Sequence, residues 1–273
     1  MSKRGYRVVP FTANRQMAAA SASIGREQNT IHMLTEVDIT EPRRLIREHR
    51  ERTGERLSFT AYIVACLAHA IAEQPQLNAL RRGNRLIMLD DVTVGTLVER
   101  NLGGELVPEP FGIRAADKKT YRQIHDEIRA AQQASDERLG GLSETTWVRF
   151  IPGFLLRTFI RLASRNVAMA KRYGVVTVTA VGMFGRGSLW AVPLSAATVA
   201  VAVGGIVGRP VLIDGQVEER EHLCLTLSFD HDIVDGAPAA RFTGRFAELL
   251  ASGEVVSDLS PQKRPQQKAD QEA

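Results

Sequence analysis

The sequence predicts an α/β fold, because segments with the periodicity of strands and of helices alternate along the chain. Apolar and polar residues alternate, as in a half-buried strand, at residues 30–39 and again at residues 223–229. Between these runs lie segments with apolar residues at helical spacing, such as residues 59–73. A length of 273 residues and a hydrophobic fraction of 44% are sufficient for a buried core, and we expect a single domain.

The first half of the chain is predicted to begin with a strand–helix unit. A polar, Ala/Ser-rich N-terminal arm (residues 1–29) is followed by the strand at 30–39 and by a charged helix at 41–52. Ser58 is a suitable N-cap for the helix at 59–73, whose residues are mostly apolar or small on all sides, so this helix should be buried. Two strands, a short apolar segment and a polar-faced helix follow at residues 86–89, 92–98, 106–108 and 118–134.

The second half is predicted to be rich in strands and to end in a helix. Strands are predicted at residues 175–179, 197–203 and 223–229. Short strands at 211–213 and 216–218 flank Asp214-Gly215, a dipeptide that favours a type I′ hairpin turn. A helix is predicted at residues 237–251, with Gly253 as the residue that ends it.

Charge and cysteine content exclude several classes of function. The 35 Lys+Arg and 31 Asp+Glu residues give a net charge of +4 and are scattered, so nucleic acid is not an expected partner. Cys66 and Cys224 lie in apolar runs without the spacing of a metal site or a disulfide framework, and the histidines add no metal-ligand pattern. We therefore expect no metal. Because no signal peptide or bilayer-spanning run is present, we expect a cytoplasmic protein without membrane association.

The pattern His231-x-x-x-Asp235-Gly236 lies where the last predicted strand passes into the last predicted helix. A side chain at such a junction is held rigidly and still reaches a cleft. Imidazole titrates near neutral pH, so a neutral His231 can accept a proton from a thiol or hydroxyl during acyl transfer. A single histidine more often only packs and forms hydrogen bonds, and Asp235 and Gly236 equally suit an N-cap and a tight turn. The motif therefore indicates a catalytic base only together with other matches.

Those matches are found on both sides of the motif. Residues 228–242 (SFDHDIVDGAPAARF) resemble the signature of the catalytic domain of dihydrolipoamide acyltransferases, the acyl-transferring core of 2-oxo acid dehydrogenase complexes, and share H-x-x-x-D-G with chloramphenicol acetyltransferase. Further segments resemble this family in the same order: Ile31-His32, Glu36-Val37-Asp38, residues 75–79 (PQLNA), Val94-Gly95, Leu106-Val107-Pro108, residues 178–185 (VTAVGMFG), residues 208–211 (GRPV) and Asp214-Gly215. The resemblance covers roughly residues 30–254, and ordered matches are more specific than one motif.

The resemblance implies a chloramphenicol acetyltransferase-like fold, a two-layer sandwich of a mixed β-sheet with flanking helices. It implies a catalytic domain at residues 30–256, between the N-terminal arm and a polar tail at 257–273 that we expect to be disordered. Family members form trimers with active sites between subunits, so we expect a homotrimer. Because the polar tail stands in place of the apolar segment through which many family trimers build larger cores, we expect assembly to stop at the trimer.

The resemblance also implies roles for three residues. His231 is expected to be the general base that deprotonates the attacking thiol or hydroxyl, while the acyl group passes directly between coenzyme A and the acceptor. Asp235 is expected to support the site through an ion pair with an arginine, and Thr179 to stabilise the tetrahedral oxyanion. On local sequence alone, Thr179 is equally explained by the preference of β-branched residues for strands. The sequence does not identify the residues that bind coenzyme A.

Two features depart from the family. Asp232 stands where the family usually has an arginine, and a carboxylate there favours protonated His231 unless it points away or pairs with a cation. The lipoyl and subunit-binding domains of full-length members are absent from this sequence, so we expect a stand-alone chain without lipoyl attachment. A lipoylated or carrier protein would then act as acyl donor or acceptor, or the acceptor is a different molecule.

Residues 143–172 contain a basic amphipathic insertion relative to the family. Its apolar and basic residues are Trp147, Phe150, Phe154, Leu155, Phe159 and Leu162 with Arg157, Arg161 and Arg165. Most amphipathic helices simply face a core. The functional alternatives are a lid over the acyl-donor channel, which we prefer among them, a membrane-surface helix and a docking surface for a partner.

Three functions remain open at this point. The leading one is an acyltransferase that moves an acyl group between coenzyme A and a thiol of the dihydrolipoamide type or a hydroxyl. The second is a stand-alone acyltransferase acting on a small molecule or a carrier-protein thioester, which the missing lipoyl domain favours. The third is a catalytically silent scaffold or regulator of a dehydrogenase complex. Asp232 motivates the third, whereas the joint presence of His231, Thr179, Asp235 and Gly236 argues against it.

Overall fold

A mixed β-sheet organises the molecule. The computed structural model describes residues 6–102, 105–134, 151, 153–182, 185 and 187–257. Its strands are β1 (Thr30–Asp38), β2 (Ala79–Arg82), β3 (Arg85–Met88), β4 (Val94–Leu102), β5 (Glu105–Ile113), β6 (Val176–Ala180), β7 (Val199–Ile213) and β8 (Gln216–Asp230). Within the described residues, six of them form one sheet in the order β1-β8-β7-β6-β4-β5, while β2 and β3 pair as a separate ribbon. Strand β6 is parallel to β4 and β7, and the other neighbours are antiparallel, so the expected mixed sheet is confirmed.

Helices cover one face of this sheet. The helices of the described chain are α1 (Ala13–Gly25), α2 (Thr40–Thr53), α3 (Phe59–Glu73), α4 (Tyr121–Gln133), α5 (Gly153–Ser164), α6 (Val167–Tyr173), α7 (Gly236–Ser252) and α8 (Glu254–Ser257). The main core joins α3, α4 and α7 to the sheet face that carries Leu223, Leu225, Leu227 and Phe229 of β8. The alternation predicted for the last strand therefore places its apolar side chains in the core.

Helix α3 is buried, as predicted. Its residues from Ala61 to Ala68 are all buried, and the Ser58 hydroxyl accepts a hydrogen bond from the Ala61 N–H at the predicted N-cap. The Tyr62 hydroxyl donates to the carbonyl of Leu250 at 2.8 Å, which satisfies the buried hydroxyl and connects α3 to α7.

Strands β7 and β8 form one long hairpin, where the periodicity predicts four shorter strands. Its turn is Asp214-Gly215, and their φ angles of 49° and 80° are those that the predicted type I′ turn requires. The strands are continuous because the register shift between Val203 and Ile206 breaks the alternation without ending the pairing. Gly204 lies in this bulge, where an added Cβ would be 1.9 Å from the carbonyl oxygen of Leu189.

Several elements differ from the sequence prediction. The N-terminal arm contains α1, because its alanines favour a helix and Thr12 caps it by accepting from the Arg15 N–H. Strand β2 and helix α8 are not predicted by the pattern, and the apolar segment at 106–108 belongs to the longer strand β5. The amphipathic insertion contains two helices, α5 and α6, with Asn166 as the N-cap of α6.

The predictions for residues 143–150 and 258–273 fall outside the described residues. No described helix is long and apolar enough to cross a membrane.

Candidate active site

His231 is the first residue after the end of strand β8. Its backbone N–H donates to the carbonyl of Asn29 at 2.7 Å, and the preceding Asp230 N–H donates to the carbonyl of Thr198 at 3.0 Å. The His231 side chain is 43% exposed. A backbone fixed on both sides and an open side chain are what a proton-transferring imidazole needs.

Asp235 is the side chain that the structure brings to His231. Its Oδ1 lies 3.7 Å from Nδ1 of the imidazole, a distance that allows an ion pair with a protonated ring. Asp235 occupies the N-cap position of α7 but makes no capping hydrogen bond, and its side chain is 85% exposed. Among the described residues Asp235 pairs with His231 and with no arginine, and its expected ion pair with an arginine stays a prediction.

Asp232 is paired with a cation, which is one of the two arrangements that would keep its carboxylate from favouring protonated His231. Its Oδ2 lies 2.6 Å from Nη1 of Arg81 in β2, and its Oδ1 accepts from Nδ2 of Asn29 at 3.0 Å. The hydrogen bond from Asn29 and the charge of Arg81 lower the pKa of Asp232. The reversed charge beside the imidazole is therefore compensated within the chain.

Asp230 is a buried carboxylate next to His231 that the sequence pattern did not single out. It is 8% exposed, its Oδ1 accepts from the Asp232 N–H at 3.0 Å, and its Oδ2 accepts from Nε2 of Gln28 at 3.3 Å. Burial raises the pKa of Asp230. Its position directly before the histidine is the signal that would have identified it.

Thr179 does not join this cluster within one chain. In β6 it pairs with Ala202 of β7, which pairs with Thr226 of β8. Strand β8 continues from Thr226 to Asp230 before reaching His231. At a rise of about 3.3 Å per residue, the end of the strand is roughly 13 Å along the sheet from the Thr179 row, and it is also about 10 Å across two strand spacings. The two expected catalytic side chains therefore belong to different regions of the chain surface.

A cavity of about 310 Å³ opens beside the His231 turn. It is lined by Gln74 and Gln76 after α3 and by Asp235, Pro238 and Arg241 of the turn and α7. Asp235, which lies beside the imidazole of His231, forms part of the cavity wall. The described residues hold no group of three or more His, Cys, Asp or Glu side chains suited to a metal ion.

Comparison with known proteins gives the same family as the motif. A family model described as 2-oxoacid dehydrogenases acyltransferase (catalytic domain) matches residues 3–147 and 169–256. The succinyltransferase component of the 2-oxoglutarate dehydrogenase complex of Staphylococcus saprophyticus is 27% identical over 253 residues, which are 89% of this chain and 52% of that protein. The lipoamide acyltransferase component of the branched-chain alpha-keto acid dehydrogenase complex of Bacillus subtilis is 28% identical over 92% of this chain and 54% of that protein. The chain spans about half the length of these curated relatives.

Solved structures share the fold. The cubic core of the pyruvate dehydrogenase multienzyme complex superposes with a TM-score of 0.70 at 23% identity, covering 92% of this chain and 94% of that one. A catalytic core of the 2-oxoacid dehydrogenase complex from Thermoplasma acidophilum gives a TM-score of 0.64 at 18% identity, covering 91% and 99%. The expected chloramphenicol acetyltransferase-like α/β fold is confirmed. Because the family model matches most of its length, the chain belongs to the 2-oxoacid dehydrogenase acyltransferase (catalytic domain) family.

Proposed function

We propose that this protein transfers an acyl group between coenzyme A and a thiol of the dihydrolipoamide type or a hydroxyl, with His231 as the general base. The observation that carries the proposal is the His231 turn. An imidazole at the position of the family motif is anchored through its backbone, is accessible, and lies beside the Asp235 carboxylate. Acyl transfer at the level of the family is supported by the family match and by the named relatives.

The reaction requires one proton to move twice. Neutral His231 removes the proton from the acceptor S–H or O–H, and the acceptor atom attacks the thioester carbonyl carbon of acyl-CoA. The tetrahedral oxyanion then collapses, the carbon–sulfur bond to coenzyme A breaks, and the thiolate of coenzyme A takes the proton from His231. Asp235 stabilises the imidazolium that exists between these two transfers, because its carboxylate is close to Nδ1.

Thr179 is proposed as the donor to the tetrahedral oxyanion. Its place in the sheet determines which subunit of the assembly supplies it to a given site. Its row on β6 is about 13 Å along the sheet from the end of β8, so the Thr179 and His231 of one chain do not meet at one carbonyl. We therefore propose that each site takes His231 from one subunit and Thr179 from another in a homotrimer. The relatives and solved cores named above belong to multienzyme complexes, which favours a lipoylated protein as the acyl donor or acceptor, with a carrier protein as the alternative.

A screen of acyl-CoAs tests the proposal. Acetyl-, succinyl- and branched-chain acyl-CoA are each incubated with dihydrolipoamide and with simple hydroxyl acceptors, and the acylated product is measured by chromatography. We expect at least one pair to react, with His231→Ala slower by roughly 10²–10⁴-fold. His69→Ala on α3 is the control, because His69 lies outside the proposed site and its change should leave the rate intact.

The outcomes separate the proposal from its rivals. Turnover of a hydroxyl acceptor without turnover of dihydrolipoamide would favour the stand-alone enzyme acting on a small molecule. Consumption of no acyl-CoA in a His231-dependent manner would overturn the enzymatic proposal and favour the silent scaffold.

A further inference from the structure

Helix α5 lies outside the part of the chain that the family shares. The family model matches residues up to 147 and from 169, and α5 spans Gly153–Ser164 between them. The segments that define the family therefore do not include α5.

One side of α5 is packed and an adjacent side is open. Leu156 is 4% exposed and contacts Ala20 of α1, with Ile160 packed against the same cluster. By contrast, Phe154 and Leu162 are 67% and 66% exposed, and Leu155 and Phe159 are 49% and 48% exposed. At about 100° per residue these four side chains span an arc of roughly 140° beside the packed side, and Thr158 lies within that arc. None of the residues that line the cavity beside His231 comes from α5, so a lid gains no support within one chain.

The charge around this face is mainly positive. The sequence has no Asp or Glu between Glu144 and Asp214, and Arg157, Arg161 and Arg165 follow one another at intervals of four residues along α5 and its end. All three are exposed, and Arg161 forms an ion pair with Glu27. Arg157 and Arg165 have no ion-pair partner among the described residues, and they place positive charge along the edge of the apolar face next to Phe154.

We infer that this face of α5 docks on an anionic phospholipid surface. An exposed face of phenylalanine and leucine flanked by arginines is the composition of helices that lie in a membrane interface, where the apolar side chains enter the acyl boundary and the cations contact lipid phosphates. Two copies packed through this same face would oppose arginine to arginine, which disfavours a two-fold contact through α5. The overall composition gave no reason to expect membrane contact, and the exposure of α5 supplies one. The inference does not depend on the proposed acyl transfer.

The docking helix is connected to the His231 turn. Arg161 of α5 pairs with Glu27, and two residues later Asn29 accepts from the His231 N–H and donates to Asp232. A protein held at a membrane through α5 would therefore hold the cluster around His231 close to the lipid surface.

Vesicle co-sedimentation of the full chain tests the inference. We expect binding to vesicles of equal parts phosphatidylcholine and phosphatidylglycerol, and binding weaker by about tenfold or more to phosphatidylcholine alone. Phe154→Ser with Leu162→Ser should weaken binding to the anionic vesicles by about tenfold or more. Arg157→Gln with Arg165→Gln should likewise weaken binding to the anionic vesicles by about tenfold or more, and it should have little effect on binding to the phosphatidylcholine vesicles. Leu212→Ser with Val217→Ser is the matched control. These side chains are 71% and 72% exposed on the β7–β8 hairpin, and their change should leave vesicle binding as it is in the wild type.

Several results would overturn the inference. Absence of binding to the anionic vesicles is one, and equal binding by both α5 variants and the wild type is another. Binding to soluble polyglutamate as strong as binding to anionic vesicles would assign the face to an acidic protein. A smaller assembly for the α5 variants in size-exclusion chromatography, without vesicle binding by the wild type, would assign it to contacts between copies.

Discussion

Arg81 and Asp232 form an ion pair at 2.6 Å beside the proposed catalytic base, and they join residues that are 151 positions apart in the sequence. Asn29 completes the arrangement by donating to the other oxygen of Asp232. The pair fixes the His231 turn to the β2–β3 ribbon. It also neutralises the carboxylate that replaces the arginine expected from the family.

Removal of Arg81 is predicted to shift the pH dependence of activity. The charged groups facing His231 are Asp230, Asp232 and Asp235, with Arg81 acting through Asp232. Arg81→Ala leaves the Asp232 carboxylate without its cation, and this carboxylate stabilises the protonated, inactive imidazolium. The acid limb of the kcat/KM profile should therefore move to higher pH.

The double variant Arg81→Ala with Asp232→Asn separates charge from structure. Because it removes the uncompensated carboxylate, its acid limb should return close to the wild-type position. A profile that stays displaced in the double variant, or does not move in Arg81→Ala, would contradict a charge-compensating role.

Thr179 is predicted to act through its hydroxyl. Thr179→Val keeps the β-branched shape that suits β6 and removes the donor, so kcat/KM should fall by about 10²-fold or more. Thr179→Ser keeps the donor and should retain most of the activity. If Thr179→Val were as active as the wild type, the residue would serve only as a strand former.

Gly204 is predicted to be essential for the packing of β7. An added Cβ would lie 1.9 Å from the carbonyl oxygen of Leu189 and 2.9 Å from that of Cys224, and both are backbone atoms that cannot move aside easily. Gly204→Ala should lower the free energy of unfolding by about 2–3 kcal/mol. In Gly244→Ala on α7, the Cβ meets nothing within 4 Å, and this control should gain about 0.5–1 kcal/mol. Urea denaturation measures both, and equal stabilities for the two variants would refute the packing argument.

Asp230 is predicted to make stability depend on pH. Burial raises the pKa of Asp230, so the folded chain binds this proton more tightly than the unfolded chain. The contribution of Asp230 to the free energy of unfolding therefore decreases as pH rises from the ordinary aspartate range through the raised pKa. Asp230→Asn removes this loss, because the amide that replaces the carboxylate does not ionise.

Urea denaturation at several pH values tests this prediction. The stability of Asp230→Asn relative to the wild type should increase between about pH 4 and about pH 7. A relative stability that falls over this range would show that the carboxylate is stabilised by its hydrogen bonds more than it is penalised by burial.

Local features of this protein follow from its sequence because their causes are local. The type I′ turn at Asp214-Gly215, the buried helix α3 with its cap at Ser58, and the contact between His231 and Asp235 each depend on residues close together in the chain. The continuity of β7 does not follow in this way, since the bulge around Gly204 interrupts the alternation on which strand prediction rests.

The candidate site depends on contacts that no local pattern encodes. Asp232 is recognisable from sequence as a departure from the family, but its compensation by Arg81 comes from a distant ribbon. The role of Asn29 likewise depends on the pairing of β1 with β8, which brings the start of one strand to the end of the other. The separation of Thr179 from His231 becomes evident only from the order and register of the strands.

Subunit mixing tests the central proposal most directly. His231→Ala and Thr179→Val are each expected to be nearly inactive, and co-expression should produce mixed trimers in which some sites receive an intact His231 from one chain and an intact Thr179 from another. With random mixing about a quarter of the sites are restored, so activity should recover to about that fraction of the wild type. Co-expression of His231→Ala with Asp235→Ala is the control and should restore nothing, because these two residues are in contact within one chain. Mixed trimers no more active than the sum of the two separate variants would contradict a site shared between subunits.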